Sequence, residues 1–404
     1  MRDLTIFTSN FKPERGGVAE YTYQLANGLY EVGRLNRVVT TVPQDSKCSY
    51  QFDVVEMNEK RLGKRLGDSV FFTRKLNSFR YLYKQNLLSY RTALSLFREW
   101  WGRHIIFTSL YRDTSKYVLS KCIKVGLEFS VVFHGLDLIL LKDQDPYFLD
   151  QVCNQASLLI FNSEATRELF GRLKSYSDIQ SYILYPGINS TQLDSAEKTS
   201  SRALERRYNL DLQEKTVILS LARLVKRKGI DVAFRALAPI LNESDRYRYV
   251  IAGDGPEYDV LKSEIEARGL HDKVTLTGDV TDTEKYGLLR DSNIFVMPNH
   301  TRSGNDFEGF GISFIEASYF ENPVIGGRSG GAVEAISEGK SGFLLDFERK
   351  EAGKELRALV RRLVNNPDRI EKLASQGRSY VLERFEAPEL VADFAQSFDE
   401  IVDP

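Results

Sequence analysis

The chain has 404 residues, 42% of them hydrophobic, and a formal net charge of −1. That length exceeds one typical domain and can bury two cores, while a pI near 6.5 argues against a nucleic-acid partner. No window approaches the ~18 apolar residues of a membrane-spanning helix, and the first apolar run, Leu4–Phe7, is far too short for a signal peptide.

In chain order, strand-like runs at Leu4–Thr8, Arg37–Val42, Ile105–Leu110, Phe129–Phe133, Leu158–Phe161 and Tyr182–Leu184 alternate with helical patterns such as Val18–Val32. This is the rhythm of a parallel α/β sheet. Inside it, Lys60 to His104 holds 11 Lys and Arg against Asp68 and Glu99, interleaved with aromatics that include Phe71, Tyr83, Trp100 and Trp101. Such a segment suits an anionic membrane surface, and a pair of ordinary helices with solvated basic residues accounts for it equally well. Residues 1–190 carry 25 basic against 19 acidic side chains and the remainder 30 against 37, so the halves are expected to face different partners. Cys48, Cys122 and Cys153 lie far apart without metal-type spacing, which predicts buried thiols in a reducing compartment.

The alternation stops at Tyr185–Asn189 and the polar Ser190–Ser201, which reads as an interdomain hinge. A second sheet restarts with Thr216–Leu221, Tyr247–Ile251, Lys273–Leu276, Ile294–Met297, Pro323–Gly326 and Gly342–Leu345. The closing helical patterns, Lys350–Asn365, Asp368–Arg384 and Pro388–Val402, contain more length than that sheet needs. The expected domains are therefore 1–187 and 188–385, with 386–404 a terminal helix that packs back on the first.

The chemistry concentrates in Asp306–Glu316, a glycine-softened loop (Gly309, Phe310, Gly311) that feeds a helix from Ile312 and carries Glu308 and Glu316, eight positions apart. Helix N-termini suit phosphate, and carboxylates accept hydrogen bonds from paired sugar hydroxyls. Asn322–Gly331 supplies a second glycine-rich turn beside the first, where doubly wound sheets bind ligands. Ahead of the second sheet's first helix, Arg223 and Lys228 stand where a diphosphate would need cations, while Lys226 and Arg227 read as solvated. In the first lobe, Gly16 and Gly17 open a helix, and His134 ends an apolar strand where it could donate to a hydroxyl or a phosphate oxygen. Ile251–Glu257 lacks the full GxGxxG pattern of a dinucleotide loop. Asp143 and Asp145 have metal-pair spacing, but Asp145 before Pro146 reads as a helix cap, so no protein-held metal is expected.

The order Gly16-Gly17, His134-Gly135, Asn162-Ser163-Glu164, Pro186-Gly187, Arg223…Lys228-Gly229, Gly253-Asp-Gly-Pro256, Gly278-Asp-Val280, Glu308-Gly-Phe-Gly…Glu316 and Pro323-Val-Ile…Gly330-Gly331 resembles the retaining family 4 glycosyltransferases of the GT-B fold. It covers nearly the whole chain and is densest in the second half. Departures fall at turns: Gly187-Ile-Asn189, Ala222 and Asn322 replace commoner residues. The resemblance implies two Rossmann-like lobes facing a central cleft and a retaining hexosyltransferase that uses a nucleotide diphosphate sugar. It implies Arg223 and Lys228 on the diphosphate, Glu316 on the ribose and Glu308 on the hexose. The amides of Gly309, Phe310, Gly311 and Ile312 would lie near the sugar and phosphates, Val280 near the base, Gly16 and Gly17 against the phosphates, and His134 beside the acceptor. The acceptor is expected to be a glycan or a lipid-linked molecule of cell-envelope polysaccharide, lipopolysaccharide or glycolipid synthesis. The enzyme is expected in the cytoplasm, peripheral at the membrane through residues 60–104, with no nucleic-acid partner and no cofactor beyond the donor. A GT-B-like phosphorylase or epimerase, or a non-catalytic sugar-nucleotide-binding subunit, would use the same residues.

Overall fold

The computed structural model describes residues 2–44, 49–57, 100–173, 179–212, 214–301 and 306–402, which divide into two units, Met1–Pro186 with Ala387–Pro404, and Gly187–Glu386.

In the first unit, β1 (Leu4–Thr8), β2 (Leu35–Thr40), β3 (Val54–Glu56), β4 (His104–Phe107), β5 (Phe129–Phe133), β6 (Leu158–Phe161) and β7 (Ser181–Ile183) form a parallel sheet, in the order β3-β2-β1-β4-β5-β6-β7. Every residue of β1, β4, β5 and β6 is buried, as expected of parallel strands covered on both faces. Alternation along the strands sorts them into two cores. Phe107, Phe129, Val131, Phe133 and Phe161 face one side, and Leu4, Ile6, Ile106, Val132 and Ile160 the other. Helices α1 (Gly17–Glu31), α2 (Asp113–Val125), α3 (Leu136–Gln144), α4 (Pro146–Gln155) and α5 (Glu164–Leu173) connect the strands. Asp145 accepts from the Phe148 N–H at 3.1 Å and caps α4, with Pro146 at its first position. Cys122 and Cys153 are buried, and Cys48 lies outside the described residues.

The second core is closed by the chain's last helix, which gives it Val391, Phe394, Ala395 and Phe398. That helix crosses α1 so closely at Gly28 that a Cβ there would lie 2.6 Å from the Val391 Cβ. Arg34 fastens it, donating to the Ala395 carbonyl at 2.7 Å and pairing with Asp399 at 2.9 Å.

The basic aromatic segment, residues 60–104, falls largely outside the described residues, which resume at Trp100. Trp100 is wholly buried in the first core, with its ring 6.1 Å from Phe7, and His104 is buried in β4, whereas Trp101 is 66% exposed. An indole packed on the phenylalanines of this core gains more from burial than from solvent.

The second unit begins where a hinge was expected. Instead of a linker, Ser190–Ser201 holds α6 (Ser190–Ser195) and the start of α7 (Ser201–Tyr208). Asn189 and Ser200 cap them by accepting the Gln192 and Ala203 N–H groups at 2.9 and 3.4 Å, and Thr199 N–H donates to the Thr283 carbonyl at 3.0 Å. Each helix buries a single leucine, Leu193 or Leu204, too little for an apolar period to stand out. The sheet contains β8 (Thr216–Leu221), β9 (Tyr247–Ala252), β10 (Val274–Gly278), β11 (Ile294–Met297), β12 (Val324–Gly327) and β13 (Gly342–Leu345), all parallel, in the order β10-β9-β8-β11-β12-β13. Around it lie α8 (Ile230–Glu243), α9 (Tyr258–Ala267), α10 (Asp282–Arg290), α11 (Ile312–Tyr319), α12 (Ala332–Ala335), α13 (Ala352–Val364) and α14 (Pro367–Arg384). Helix α15 (Ala387–Val402) then belongs to the first unit.

Candidate active site

Strand order in the second unit reverses between β8 and β11, and loops leaving the carboxyl ends of the strands meet there. After β8 the chain makes one 3-10 turn, Lys226–Lys228. This turn sends neighbouring cations different ways: Arg223 and Lys226 are exposed, and Lys228 is buried. Lys228 Nζ lies 2.6 Å from Glu308 Oε2, and the same oxygen accepts from Arg227 Nη1 at 2.5 Å. Arg227 Nε reaches Asp306 Oδ1 at 3.0 Å. Arg227 is therefore not the solvated residue the sequence suggested. Asp306 and Glu308, two positions apart, both turn toward it, and their charge recruits it.

Burial sets the electrostatics. It pushes the Glu308 carboxyl up, but the Lys228 and Arg227 cations more than offset this and hold it below the usual carboxylate range. Burial also drives the Lys228 ammonium down, with Glu308 restoring part of the loss. Burial raises the Asp306 carboxyl, against the pull of Arg227.

The glycine turns hold these groups in register. Gly330 has φ +57°, and a Cβ there would sit 2.1 Å from the Glu308 carbonyl oxygen. Gly331 N–H donates to that same carbonyl at 2.9 Å. Asn299 ties the end of β11 to the end of β12, accepting from Gly327 N–H at 2.8 Å and donating to the Ser329 carbonyl at 3.1 Å. Gly309 and Phe310 are buried, with the Phe310 ring 5.3 Å from Phe385; Gly311 caps α11 and Ile312 begins it. Glu316 lies one turn inside α11, buried, with Lys285 Nζ 2.6 Å from its Oε1. Val280, half-buried, follows the end of β10. Gly253, in the segment that superficially resembles a dinucleotide loop, donates to the Gly278 carbonyl at 2.9 Å, and the Asp254 carbonyl accepts from Leu224 N–H at 2.8 Å. That loop serves to brace its neighbours.

The first unit presents Gly16, Gly17 and His134. Gly16 and Gly17 are exposed at the start of α1, with Gly16 at φ +135°. His134 follows β5 and is half-buried. Its Nε2 lies 2.8 Å from the Thr108 carbonyl, which can only accept, so this nitrogen carries the proton. Nδ1 faces the Asn162 amide at 3.5 Å, and Tyr21 meets the ring edge-on at 5.0 Å. Burial lowers the imidazole pKa, opposed by Asp137, which accepts the His134 backbone N–H at 2.9 Å. The ring's N–H, expected to serve a ligand, is thus spent on the Thr108 carbonyl, and its lone pair faces the Asn162 amide.

Residues 201–380, nearly all of the second unit, match the family described as glycosyl transferases group 1. This unit belongs to that family. Among similar proteins is the GDP-mannose-dependent alpha-(1-6)-phosphatidylinositol monomannoside mannosyltransferase of Mycobacterium tuberculosis, 32% identical over 248 residues, 61% of this chain and 63% of the relative. The alignment thus spans less than two thirds of that relative's length. Alpha-monoglucosyldiacylglycerol synthase of Streptococcus pneumoniae is 23% identical over 88% of this chain and 78% of its own. Among solved structures, Anabaena HepE in complex with UDP and glucose superposes with a TM-score of 0.75 at 18% identity, covering 98% of this chain and 100% of the other. The chain has the GT-B fold class, with a Rossmann-like sheet in each unit.

Two features of the group 1 unit escaped sequence reasoning. Arg227 was hidden among three consecutive basic residues, and the signal that could have found it is the pair of carboxylates at Asp306 and Glu308. His300 was not singled out; it is buried beside the network, its backbone N–H donates to the Arg227 carbonyl at 2.9 Å, and its Nδ1 donates to the Pro298 carbonyl at 3.0 Å. Among the described residues, no group of three or more His, Cys, Asp or Glu side chains could hold a metal ion, and no helix is long and apolar enough to cross a membrane.

Proposed function

We propose that the protein is a retaining hexosyltransferase that moves a sugar from a nucleotide diphosphate sugar to a hydroxyl of a glycan or lipid-linked acceptor. The observation that carries this is the buried Lys228–Glu308–Arg227 network at the strand ends of a group 1 glycosyltransferase unit. Both cations bind Glu308 through Oε2, which leaves Oε1 to accept from sugar hydroxyls. As the bond to the sugar breaks, negative charge grows on the diphosphate, and Arg223 and Lys228 neutralise it. The departing phosphate itself takes the acceptor's proton, so neither a carboxylate nucleophile nor a protein-held metal is part of the scheme. Glu316, with Lys285 as its counter-ion, holds the ribose, and His134 lines the acceptor side. The mycobacterial relative is named for a lipid acceptor and the streptococcal one for a glycolipid product, which supports a lipid-linked acceptor in cell-envelope synthesis here.

The test is incubation of the purified protein with UDP-, GDP- and ADP-hexoses and phosphatidylinositol- or diacylglycerol-based acceptors, in buffer containing EDTA, with the product anomer read by NMR. Transfer with retained configuration is the expected result. An inverted product, activity abolished by EDTA, or product that requires inorganic phosphate would overturn it.

A further inference from the structure

Arg227 has no part in the donor chemistry set out above, yet it ties the network together. Lys228 and Glu308 lie 2.6 Å apart, and each side chain is only 11% exposed. For Lys228 to hold a diphosphate, it must give up Glu308. Were Lys228 the carboxylate's sole counter-ion, its departure would strand a buried charge, which is among the costliest single changes a site can suffer. Arg227 sits on the same oxygen at 2.5 Å. Its guanidinium is also fixed by Asp306 at 3.0 Å, and its backbone carbonyl by the buried His300. A planar, doubly anchored guanidinium suits a stationary role, and a flexible ammonium suits a moving one.

We propose that Arg227 is a positioning residue, the permanent counter-ion of Glu308, which frees Lys228 to exchange that carboxylate for the diphosphate of the donor. This rests on the donor site proposed above. Without donor, the Lys228–Glu308 pair is a self-contact that competes with binding. With donor, Arg227 keeps Glu308 in place for the sugar while Lys228 serves the leaving group. Arg227 acts on the donor only through Glu308.

A double-mutant cycle on binding of UDP and GDP, measured by calorimetry, separates this from direct contact. Glu308→Gln alone is expected to tighten the preferred nucleotide by on the order of tenfold, because it releases Lys228. Arg227→Ala alone is expected to weaken it by a similar factor, about tenfold, because Lys228 is then held by Glu308. In the Glu308→Gln background, Arg227→Ala should have no effect. Equal weakening in both backgrounds would mean that Arg227 touches the phosphates, and no weakening in either would mean that it is inert; both overturn the proposal. A second readout is the acid limb of kcat/KM, which should move to higher pH in Arg227→Ala, as Glu308 loses a cation that holds its carboxyl down. If Arg227→Ala melts below the assay temperature, Arg227→Gln completes the same cycle. Binding of neither nucleotide to the wild type overturns the donor site itself, a result distinct from any outcome of the cycle.

Discussion

The immediate surroundings of His134, after β5, and of Glu308, after β11, differ in charge. In the first unit, His134 is held by a carbonyl, an amide and an aromatic edge, and burial keeps its imidazole neutral. In the second, two cations converge on one carboxylate oxygen, and a further ion pair, Lys285 with Glu316, joins α10 to α11. A neutral, hydrogen-bonding setting suits a hydroxyl that must lose a proton. A network of buried, mutually compensated charges suits a polyanion, which can replace one member of a pair without leaving the other bare. The two settings differ in charge, and each can be broken separately.

The largest expected effect is on the charged side. Lys228→Ala should lower kcat/KM by on the order of 10²–10³ in a protein that remains folded, since it removes charge stabilisation where the leaving group develops. Loss concentrated in kcat would assign Lys228 to the transition state, and loss confined to KM would assign it to ground-state binding.

Acid should separate the units next. His104, wholly buried in β4 with Nε2 2.8 Å from Ser130 Oγ, has its pKa pushed down to about 3 by burial and by Arg2, with Asp399 opposing. In the unfolded chain it titrates near 6.5, so between those values the unfolded state binds a proton that the native state does not. Stability therefore falls as pH drops below about 6.5, by roughly 1.4 kcal/mol per pH unit for this one group. Glu308 shares the sign but not the window: its folded pKa is also depressed, so its contribution is lost on acidification too, but only once pH falls below the ordinary carboxylate range. Hydrogen exchange at pH 5 should open β4 and β5 before β8 and β11, and His104→Gln should flatten the early phase. Simultaneous opening would dissolve the distinction.

A smaller effect tests how the first unit is closed. Gly28→Ala puts a methyl against Val391 and should cost about 1–3 kcal/mol through overpacking of α1 on α15. Gly171→Ala in α5, where nothing lies within 4 Å, should leave the melting temperature unchanged or raise it slightly, by up to about 1 kcal/mol of stability. Equal losses would mean that α15 does not hold the unit together. The smallest effect is expected of Trp101→Ala. If the basic segment docks on lipid, this change should reduce sedimentation with anionic vesicles a few-fold, by about 1 kcal/mol; the test omits Trp100, whose replacement would damage the core.

Much of the architecture could be read before the structure. Runs such as Phe129–Phe133 and Leu158–Phe161 are buried on both faces and so stand out as unbroken apolar stretches. Elements that bury one residue each, such as α6 and α7, left only capping residues as signals, and those were absorbed into a hinge. At the site, strand-end position singled out Lys228 and Glu308. It did not predict that they would pair with each other, because ion pairing depends on which way a 3-10 turn directs successive side chains. The same turn hid Arg227, and the committed proton on His134 depended on a carbonyl at Thr108, 26 positions away.

The central claim is that the charged network in the second unit is a nucleotide-sugar site. It is tested most directly by titrating the wild type and a folded Lys228→Ala variant with UDP- and GDP-hexoses in a calorimeter. The account predicts saturable binding of one donor to the wild type and at least about tenfold weaker binding to the variant. Equal affinity in the two proteins, or binding of no nucleotide sugar to the wild type, would contradict it.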